Sequence, residues 1–199
     1  MDIIFAPGNK GKINEIKIIL SGLDANVIPM KEAGIDIDIE EDGTTFEENA
    51  LIKARTVCKA SGKITLADDS GLEVDYLNKE PGIHSARFMG HDTSYDIKNA
   101  EILRLLDGVP DEKRTARFVC AIAAVFPDGR EEVVRATMEG IIAKEISGEN
   151  GFGYDPIFYL PDRKCSSAAI STEEKNEISH RGKALRLMRD KLIELGVLK

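Results

Sequence analysis

The stretch Leu66-Ala67-Asp68-Asp69-Ser70-Gly71 places two acids, a hydroxyl and a glycine directly after an apolar run. The run from Ile64 is typical of a buried β-strand, and polar groups that follow a strand lie at the ligand-binding edge of an α/β sheet. Adjacent carboxylates repel each other unless a cation or a shared proton relieves them. We therefore expect either a hard divalent cation such as Mg²⁺ here or a capped turn, in which the acids bond backbone amides.

Strand geometry separates the two acids. Consecutive strand residues point to opposite faces of the sheet, so Asp68 and Asp69 are not expected to share a proton as a dyad. One of them is expected to face a ligand, while the other is structural.

The composition is that of an ordinary globular protein. Its 199 residues are 42% hydrophobic and 31% charged, with a net charge of −8, which predicts one domain, or two closely joined lobes, with a substantial core. The negative charge disfavours a protein that grips nucleic acid through many phosphates. No signal peptide or membrane-length apolar run is visible. Because Cys58, Cys120 and Cys165 have neither disulfide nor zinc spacing, we expect a cytoplasmic protein.

Strands and helices alternate in the first half of the chain. Residues 2–6 are predicted to form a strand and residues 13–23 a helix, with apolar residues three and four apart. The alternation in Ile35-Asp36-Ile37-Asp38-Ile39-Glu40 predicts a further strand with one acidic face. A capping box at Thr45-Phe46-Glu47-Glu48 opens a second helix, and residues 72–77 are compatible with a short strand.

The second half predicts an antiparallel pair of strands between helices. A helix is expected over residues 94–106, then a strand over 118–126 with its hairpin partner over 131–138. A short strand near 157–159 and a last helix that stops at Gly196 complete the pattern. The fold class is therefore α/β with a mixed sheet.

The loop Pro7-Gly8-Asn9-Lys10-Gly11-Lys12 lies between a strand and a helix, where backbone amides and the helix N-terminus can bind a phosphate. Its glycine spacing, and Ile13 after the lysine, exclude a Walker A loop and a dinucleotide fingerprint. A tight turn with a solvated lysine is the alternative.

Acids also precede the second helix, in Glu40-Glu41-Asp42-Gly43. They can complement the helix dipole or reach a cleft. If the isoleucines of the predicted strand face the core, Glu40 shares the other face and is a better candidate than Glu41.

Two further segments could recognise a flat ligand. In Gly151-Phe152-Gly153-Tyr154-Asp155-Pro156, glycines flank an aromatic ring on which a base could stack, although a β-turn with a core phenylalanine is also compatible. Lys175 and Ser179-His180-Arg181-Gly182 supply donors suited to carbonyl oxygens and phosphates, or else a helix cap with solvated charges.

Six segments, in one order along the chain, are together far more specific than any one of them. They are Gly8-Asn9-x-Gly11-Lys12, Thr45-Phe46-x-Glu48-Asn49-Ala50-x-x-Lys53-Ala54, Ala67-Asp68-Asp69-Ser70-Gly71-Leu72, Pro81-Gly82-Ile83-x-Ser85-Ala86-Arg87, Phe152-Gly153-Tyr154-Asp155-Pro156 and Ser179-His180-Arg181-Gly182. From its first strand to its last helix, the chain resembles the inosine triphosphate pyrophosphatase family, which acts on non-standard purine nucleoside triphosphates.

The resemblance implies an α/β fold with an elongated mixed β-sheet flanked by helices. Residues 1–199 would form a single domain with two lobes around a central nucleotide-binding cleft, and the protein would be a homodimer. It also implies hydrolysis of ITP, dITP or XTP to the nucleoside monophosphate and pyrophosphate with Mg²⁺, which removes deaminated purines from the nucleotide pool. No nucleic-acid or membrane partner is implied.

The same resemblance assigns roles to residues. Glu40 and Asp69 would hold the metal, and Asp69 would be the base that activates water. The substrate-binding residues would be Pro7, Gly8, Asn9, Lys10, Gly11, Lys12, Lys53, Ser70, Phe152, Gly153, Tyr154, Asp155, Lys175, His180 and Arg181. Two residues depart from the family pattern: Pro7 stands where a threonine is usual, and His84 where a tyrosine is usual.

Two other functions compete with hydrolysis. A non-catalytic purine nucleotide sensor on the same scaffold is disfavoured by the presence of Glu40 and Asp69, since a pure binder does not need to activate water. A nicotinamide oxidoreductase is disfavoured by the glycine spacing of the first loop.

Overall fold

The chain forms an α/β architecture around one mixed sheet. The structure, a computed structural model, describes residues 1–6 and 10–199, with only the backbone described at residues 10 and 11. The strands in the described ranges are β1 Asp2–Ala6, β2 Asn26–Pro29, β3 Thr65–Val74, β4 Thr115–Val125, β5 Glu131–Ile142, β6 Phe158–Leu160 and β7 Cys165–Ser166. The α-helices are α1 Lys10–Ile19, α2 Phe46–Ser61, α3 Tyr95–Leu105, α4 Thr172–Ile178 and α5 His180–Glu194.

The sheet order is β2-β1-β3-β4-β5-β6-β7. Strand β1 is parallel to both β2 and β3, whereas β6 is antiparallel to both β5 and β7. The predicted mixed α/β class is therefore confirmed. The register pairs Ala6 with Ala67, so Asp68 is the first residue of β3 beyond the carboxyl end of β1.

The chain divides into two compact units, each with its own apolar core. The first unit comprises residues 1–69, 120–136 and 181–199, and the second comprises residues 70–119 and 137–180. The first core includes Ile3, Phe5, Ile16, Leu66, Ile122, Met188 and Leu192. The second core includes Leu72, Val74, Ile102, Leu106, Phe118, Ile142 and Phe158.

Strand β3 corrects the prediction for the acidic stretch. The strand does not end at Asp68 but continues through both acids to Val74. Of the separate strand predicted over 72–77, residues 72–74 are therefore the end of β3, and Asp75–Leu77 form a 3-10 helix instead. Buried charge is tolerated inside a strand when partners compensate for its desolvation, and those partners come from distant parts of the chain.

The predicted strand over Ile35–Glu40 is wrong. These residues are in irregular structure, and only Ile35 of the three isoleucines is buried, while Ile37 is 40% exposed. The edge of the sheet next to β1 is instead occupied by β2, which the pattern did not predict. The preference for Glu40 over Glu41 therefore loses its geometric basis.

Several local predictions are confirmed. Strand β1 has the predicted bounds, and Ser94 caps α3 by accepting a hydrogen bond from the backbone N–H of Ile97. Thr45 caps α2 by accepting from the backbone N–H of Glu48. The apolar stripe of α2 is buried; its members are Phe46, Ala50, Ala54, Val57 and Cys58. Strand β5 runs four residues further than predicted, to Ile142.

In the second unit, a buried arginine ties the end of α3 to the end of β5. The guanidinium of Arg114 donates to the carbonyls of Leu106 (2.6 Å), Val109 (3.4 Å), Ile142 (2.8 Å) and Ala143 (2.6 Å). It thereby supplies side-chain donors to carbonyls at a helix end and a strand end, one of which, that of Leu106, also accepts from the Val109 N–H at 3.1 Å.

The cysteines and the helices bear on whether the described residues hold a disulfide or a membrane span. None of the three described cysteines forms a disulfide. In the described ranges, every helix is too short or too polar to span a bilayer.

Candidate active site

The two adjacent acids of β3 have different surroundings, as strand parity predicts. Asp68 is completely buried and contacts Lys12 and Arg181. The Asp69 carboxylate is 13% exposed and contacts Lys53 and Asn49. The acids therefore do not act as a dyad.

Asp68 joins two cations that are far apart in sequence. Its Oδ2 lies 2.8 Å from Lys12 Nζ and 3.5 Å from Arg181 Nε. Burial by itself would raise the pKa of Asp68, but the charges of Lys12 and Arg181 outweigh it and hold that pKa well below the usual range. Arg181 also reaches Glu15 at 3.2 Å. Asp68 is therefore a permanent anion that orients Lys12 and Arg181.

Asp69 has the opposite electrostatics. Burial raises its pKa to about 6, with further contributions from the negative charges of Glu41 and Asp68. The ammonium of Lys53 at 3.7 Å and the amide of Asn49 at 3.2 Å oppose this rise. A carboxyl that ionises near neutral pH can accept a proton in catalysis, because its affinity for the proton is higher than that of an ordinary aspartate.

Glu41, rather than Glu40, makes the described contact beside Asp69. The Lys53 ammonium donates to Glu41 Oε2 at 2.8 Å and thus lies against both carboxylates. Burial would lower the pKa of Lys53, but Asp69, Asp68 and Glu41 raise it above the ordinary value. Glu40 is exposed and lies outside regular structure.

The carboxylate oxygens near Lys53 are of the kind that binds a hard cation. Among the described residues, no group of three or more histidine, cysteine or carboxylate side chains is arranged to hold a metal ion. Asp69 and Glu41 nevertheless bring two carboxylates to the same ammonium. Mg²⁺ is commonly bound through one or two carboxylates, with substrate phosphates and water completing its shell.

Most of the predicted phosphate loop falls outside the described structure. Pro7, Gly8 and Asn9 lie outside the described residues, as does the side chain of Lys10, and of Gly11 only the backbone is described. Lys12 is described, and its ammonium lies against Asp68 at the end of β1. Ser70 follows Asp69 on β3 and is partly buried.

The aromatic loop of the second unit presents Phe152 to solvent. Its ring is 57% exposed, so the core-phenylalanine alternative is wrong for this position. Gly151 and Gly153 both have left-handed backbones, with φ of 76° and 67°, which glycine adopts most readily. A Cβ on Gly151 would lie 2.3 Å from Asp155 Oδ2, so the loop needs glycine there for space as well.

Asp155 binds its own loop. Its buried carboxylate accepts hydrogen bonds from the Phe152 N–H at 2.8 Å and the Ser167 hydroxyl at 2.9 Å. It also forms an ion pair with Lys175, whose ammonium lies 4.9 Å from the centre of the Phe152 ring. Asp155 therefore orients the two groups that offer an aromatic face and a cation.

Tyr154 and His180 are held by contacts inside the second unit. Tyr154 donates to the carbonyl of Ser85 at 2.7 Å and packs edge-to-face on Tyr95 with 5.3 Å between ring centres. His180 stacks on Phe118 at 5.0 Å. Both side chains are buried, so these contacts fix their orientation.

Comparison with known proteins assigns the family. The sequence model of the Ham1 family matches residues 3–191. The chain belongs to the Ham1 family. The resemblance drawn from the six motifs is thereby confirmed.

Curated Ham1 relatives and solved Ham1 structures match nearly the whole chain. A protein of Nitratidesulfovibrio vulgaris named dITP/XTP pyrophosphatase is 48% identical over 199 residues, covering 97% of this chain and 94% of that protein. The identically named protein of Desulforamulus reducens is 46% identical, covering 94% and 92%. The Ham1 structure from Staphylococcus aureus is 44% identical with a TM-score of 0.91, covering 98% of this chain and 99% of that one. The structure from Coxiella burnetii is 40% identical with a TM-score of 0.92, covering the same shares.

Sequence reasoning missed contact residues of this Ham1 chain. Asn49 was noted only as part of a motif, and Glu41 was set aside in favour of Glu40. Asn99, which donates to the carbonyl of Gly153 at 3.0 Å, was not singled out. Helical spacing placed Asn49 one turn from Lys53, and this was the one available signal that both serve the same carboxylate.

Proposed function

We propose that this protein hydrolyses non-standard purine nucleoside triphosphates (ITP, dITP and XTP) to the nucleoside monophosphate and pyrophosphate. The observation that carries the proposal is the near full-length similarity to proteins named dITP/XTP pyrophosphatase. The surroundings of Asp69 support it, because a buried carboxyl with a pKa of about 6 can serve as a base at cytoplasmic pH.

Asp69 accepts a proton from the attacking water as the water adds to the α-phosphorus. The bond between the α-phosphorus and the oxygen that bridges it to the β-phosphorus then breaks, and pyrophosphate leaves. The cations Lys12 and Lys53 balance the charge of the triphosphate, together with the loop from Pro7 to Gly11. Lys12 is suited to this because Asp68 holds its ammonium beside the end of β1.

Mg²⁺ is the proposed cofactor, and it would neutralise charge on the phosphate oxygens. Asp69 is one proposed ligand, and an acid from the segment before α2 is the other. Glu40 is the assignment that the family resemblance implies, whereas the described contacts favour Glu41. Comparing Glu40→Gln with Glu41→Gln decides between them, since only the true ligand raises the Mg²⁺ concentration needed for half-maximal activity.

The purine base of the substrate is assigned to the aromatic loop and to three nitrogen donors. Its ring stacks on Phe152, and Lys175, His180 and Arg181 donate toward the 6-oxo group, with the loop of Gly153, Tyr154 and Asp155 as support. Adenine carries an amino donor at that position, so a buried donor would lose its partner at a cost of roughly 1–3 kcal/mol. Ser70 contacts the substrate beside Asp69.

The cellular setting is proposed on the same grounds. The protein is a cytoplasmic homodimer, formed of single-domain chains with two lobes, that removes deaminated purines from the nucleotide pool. Size-exclusion chromatography with light scattering tests the dimer, because a monomer mass at micromolar concentration contradicts it. The net charge of −8 supports the absence of a nucleic-acid partner, and no membrane partner is proposed.

The test is pyrophosphate release from ITP, dITP, XTP, GTP and ATP, with and without Mg²⁺. The expected result is fast release from the first three, slow release from GTP and ATP, and none without the metal. Equal rates on ATP and ITP would refute the specificity. Release of inorganic phosphate would refute the bond assignment. Tight nucleotide binding without turnover would favour the sensor.

A further inference from the structure

Asn49 is a buried motif residue that the proposed function leaves without a role. It lies in the first turn of α2 and is 1% exposed. Its Oδ1 accepts a hydrogen bond from the Gly43 backbone N–H at 2.9 Å, and its Nδ2 donates to Asp69 Oδ2 at 3.2 Å. A backbone N–H can only donate, so the oxygen of the amide must face Gly43 and the NH₂ must face Asp69.

Asn49 and Lys53 share the two oxygens of Asp69. They are four residues apart on α2 and therefore lie on the same face of the helix. The Asn49 amide approaches Oδ2, while the Lys53 ammonium lies 3.7 Å from Oδ1. With a hydrogen bond at one oxygen and an ammonium ion-paired to the other, the plane of the carboxylate is fixed from one helix.

Gly43 completes this arrangement through its small size. A Cβ there would lie 2.6 Å from Asn49 Oδ1 and 2.8 Å from Glu48 Cβ, so a larger residue would displace the asparagine. The Glu48 carboxylate also accepts from the backbone N–H of Thr44 at 2.6 Å and from its hydroxyl at 2.8 Å. The segment before α2 is therefore fastened to the first turn of the helix at two successive residues.

We propose that Asn49 is a positioning residue that orients the Asp69 carboxylate and, through Gly43, ties the acidic segment of Glu40 and Glu41 to it. This inference rests on the proposed function, since Asp69 is the assigned base. The Asn49 amide then holds the acidic segment and the Asp69 carboxylate in a fixed arrangement.

Two variants separate positioning from a purely structural role. Asn49→Ala removes both hydrogen bonds, whereas Asn49→Asp retains an acceptor for Gly43 and loses the donor to Asp69. The expected result is a fall in kcat for dITP of at least about tenfold in both variants, as expected when a charge-assisted hydrogen bond is lost, with KM changed less than threefold. Gly43→Ala is expected to lower kcat in the same way.

Asn26→Ala is the matched control. Asn26 also donates from its amide to an aspartate, Asp2, at 3.0 Å, but on the exposed surface, so its loss leaves kcat unchanged. If Asn49→Asp retains wild-type kcat, or if KM rises in proportion to the fall in kcat, the positioning role is refuted.

Nuclear magnetic resonance supplies a readout that needs no turnover. The side-chain amide resonances of Asn49, assigned by their loss in Asn49→Ala, are expected to shift in Asp69→Ala, while those of Asn26 stay in place. An Asn49 amide that does not respond to Asp69→Ala overturns the inference. If wild-type enzyme releases no pyrophosphate, the proposed function fails, and the resonance experiment alone decides the inference.

Discussion

Replacing Asp69 by asparagine is expected to abolish turnover and, at the same time, to make the protein more stable. The folded protein holds the pKa of Asp69 at about 6, against an ordinary value of 3.8. Folding therefore works against the ionised carboxylate at neutral pH. Asparagine has the same shape and no charge, so it escapes this penalty.

The magnitude follows from the difference between the two pKa values. Two units correspond to about 3 kcal/mol at 1.36 kcal/mol per unit, and the 13% exposure of the carboxylate leaves little room for solvent screening. In a chain of this length, 3 kcal/mol is a rise of about 6–12 °C in the unfolding midpoint. The extra stability of Asp69→Asn reaches its full value above about pH 6.5, where Asp69 of the wild type is ionised in both the folded and the unfolded state. It shrinks as the pH falls from 6 toward 4, because the folded wild type then binds the proton that relieves the penalty.

The assay is urea denaturation of wild type and Asp69→Asn in metal-free buffer between pH 4 and pH 8. Asp68→Asn is the internal control, because it should behave in the opposite way. Lys12 and Arg181 hold the pKa of Asp68 below its usual range, so its charge stabilises the fold above pH 4 and the variant is less stable at neutral pH. The reasoning is refuted if Asp69→Asn is less stable than wild type at pH 7.5, or if the gap between them does not change with pH.

Three further substitutions test other parts of the molecule. Lys12→Ala should raise KM for the nucleotide about tenfold or more, since a charge-assisted hydrogen bond contributes ~1.5–3 kcal/mol. It should also lower the unfolding midpoint, because buried Asp68 loses the ammonium 2.8 Å from it. An unchanged KM in steady-state kinetics would contradict the phosphate-binding role. Phe152→Leu should weaken calorimetric binding of inosine monophosphate by ~1–3 kcal/mol without altering thermal stability, because the ring is 57% exposed; equal affinity would exclude stacking there. Arg114→Met should lower the urea-derived unfolding free energy by about 3 kcal/mol or more, because four carbonyls lose the guanidinium as a donor, whereas Arg104→Met on the surface should change it little.

Local patterns predicted α1, α2, α3 and α5 but not α4, β2 or β7, and the strand that they predicted over 35–40 is wrong. Capping residues such as Thr45 and Ser94 act within four residues of themselves, so the sequence around them contains the whole interaction. The alternation over Ile35–Glu40 shows which side chains would share a face. A strand also needs a neighbouring strand with which to form backbone hydrogen bonds, and the alternation does not show whether one is present. The position beside β1 belongs to β2, whose four residues are too few to show a period.

The candidate site was predictable where strand parity applied and not elsewhere. Parity divided Asp68 from Asp69 because the pleat of β3 continues through both. It could not choose between Glu40 and Glu41, since no strand exists there. The enclosure of Asp155 by Ser167 and Lys175 depends on contacts between segments distant in sequence, which no local pattern contains.

The buried side of α2 limits which substitutions this helix can accept. Ala50 and Ala54 are fully buried on a helix that contacts β1, and the same helix carries both donors to Asp69. A larger residue at either alanine is expected to shift the helix away from β1 and to carry Asn49 and Lys53 with it. The small size of these alanines thus sets how close α2 brings its two polar side chains to the proposed base.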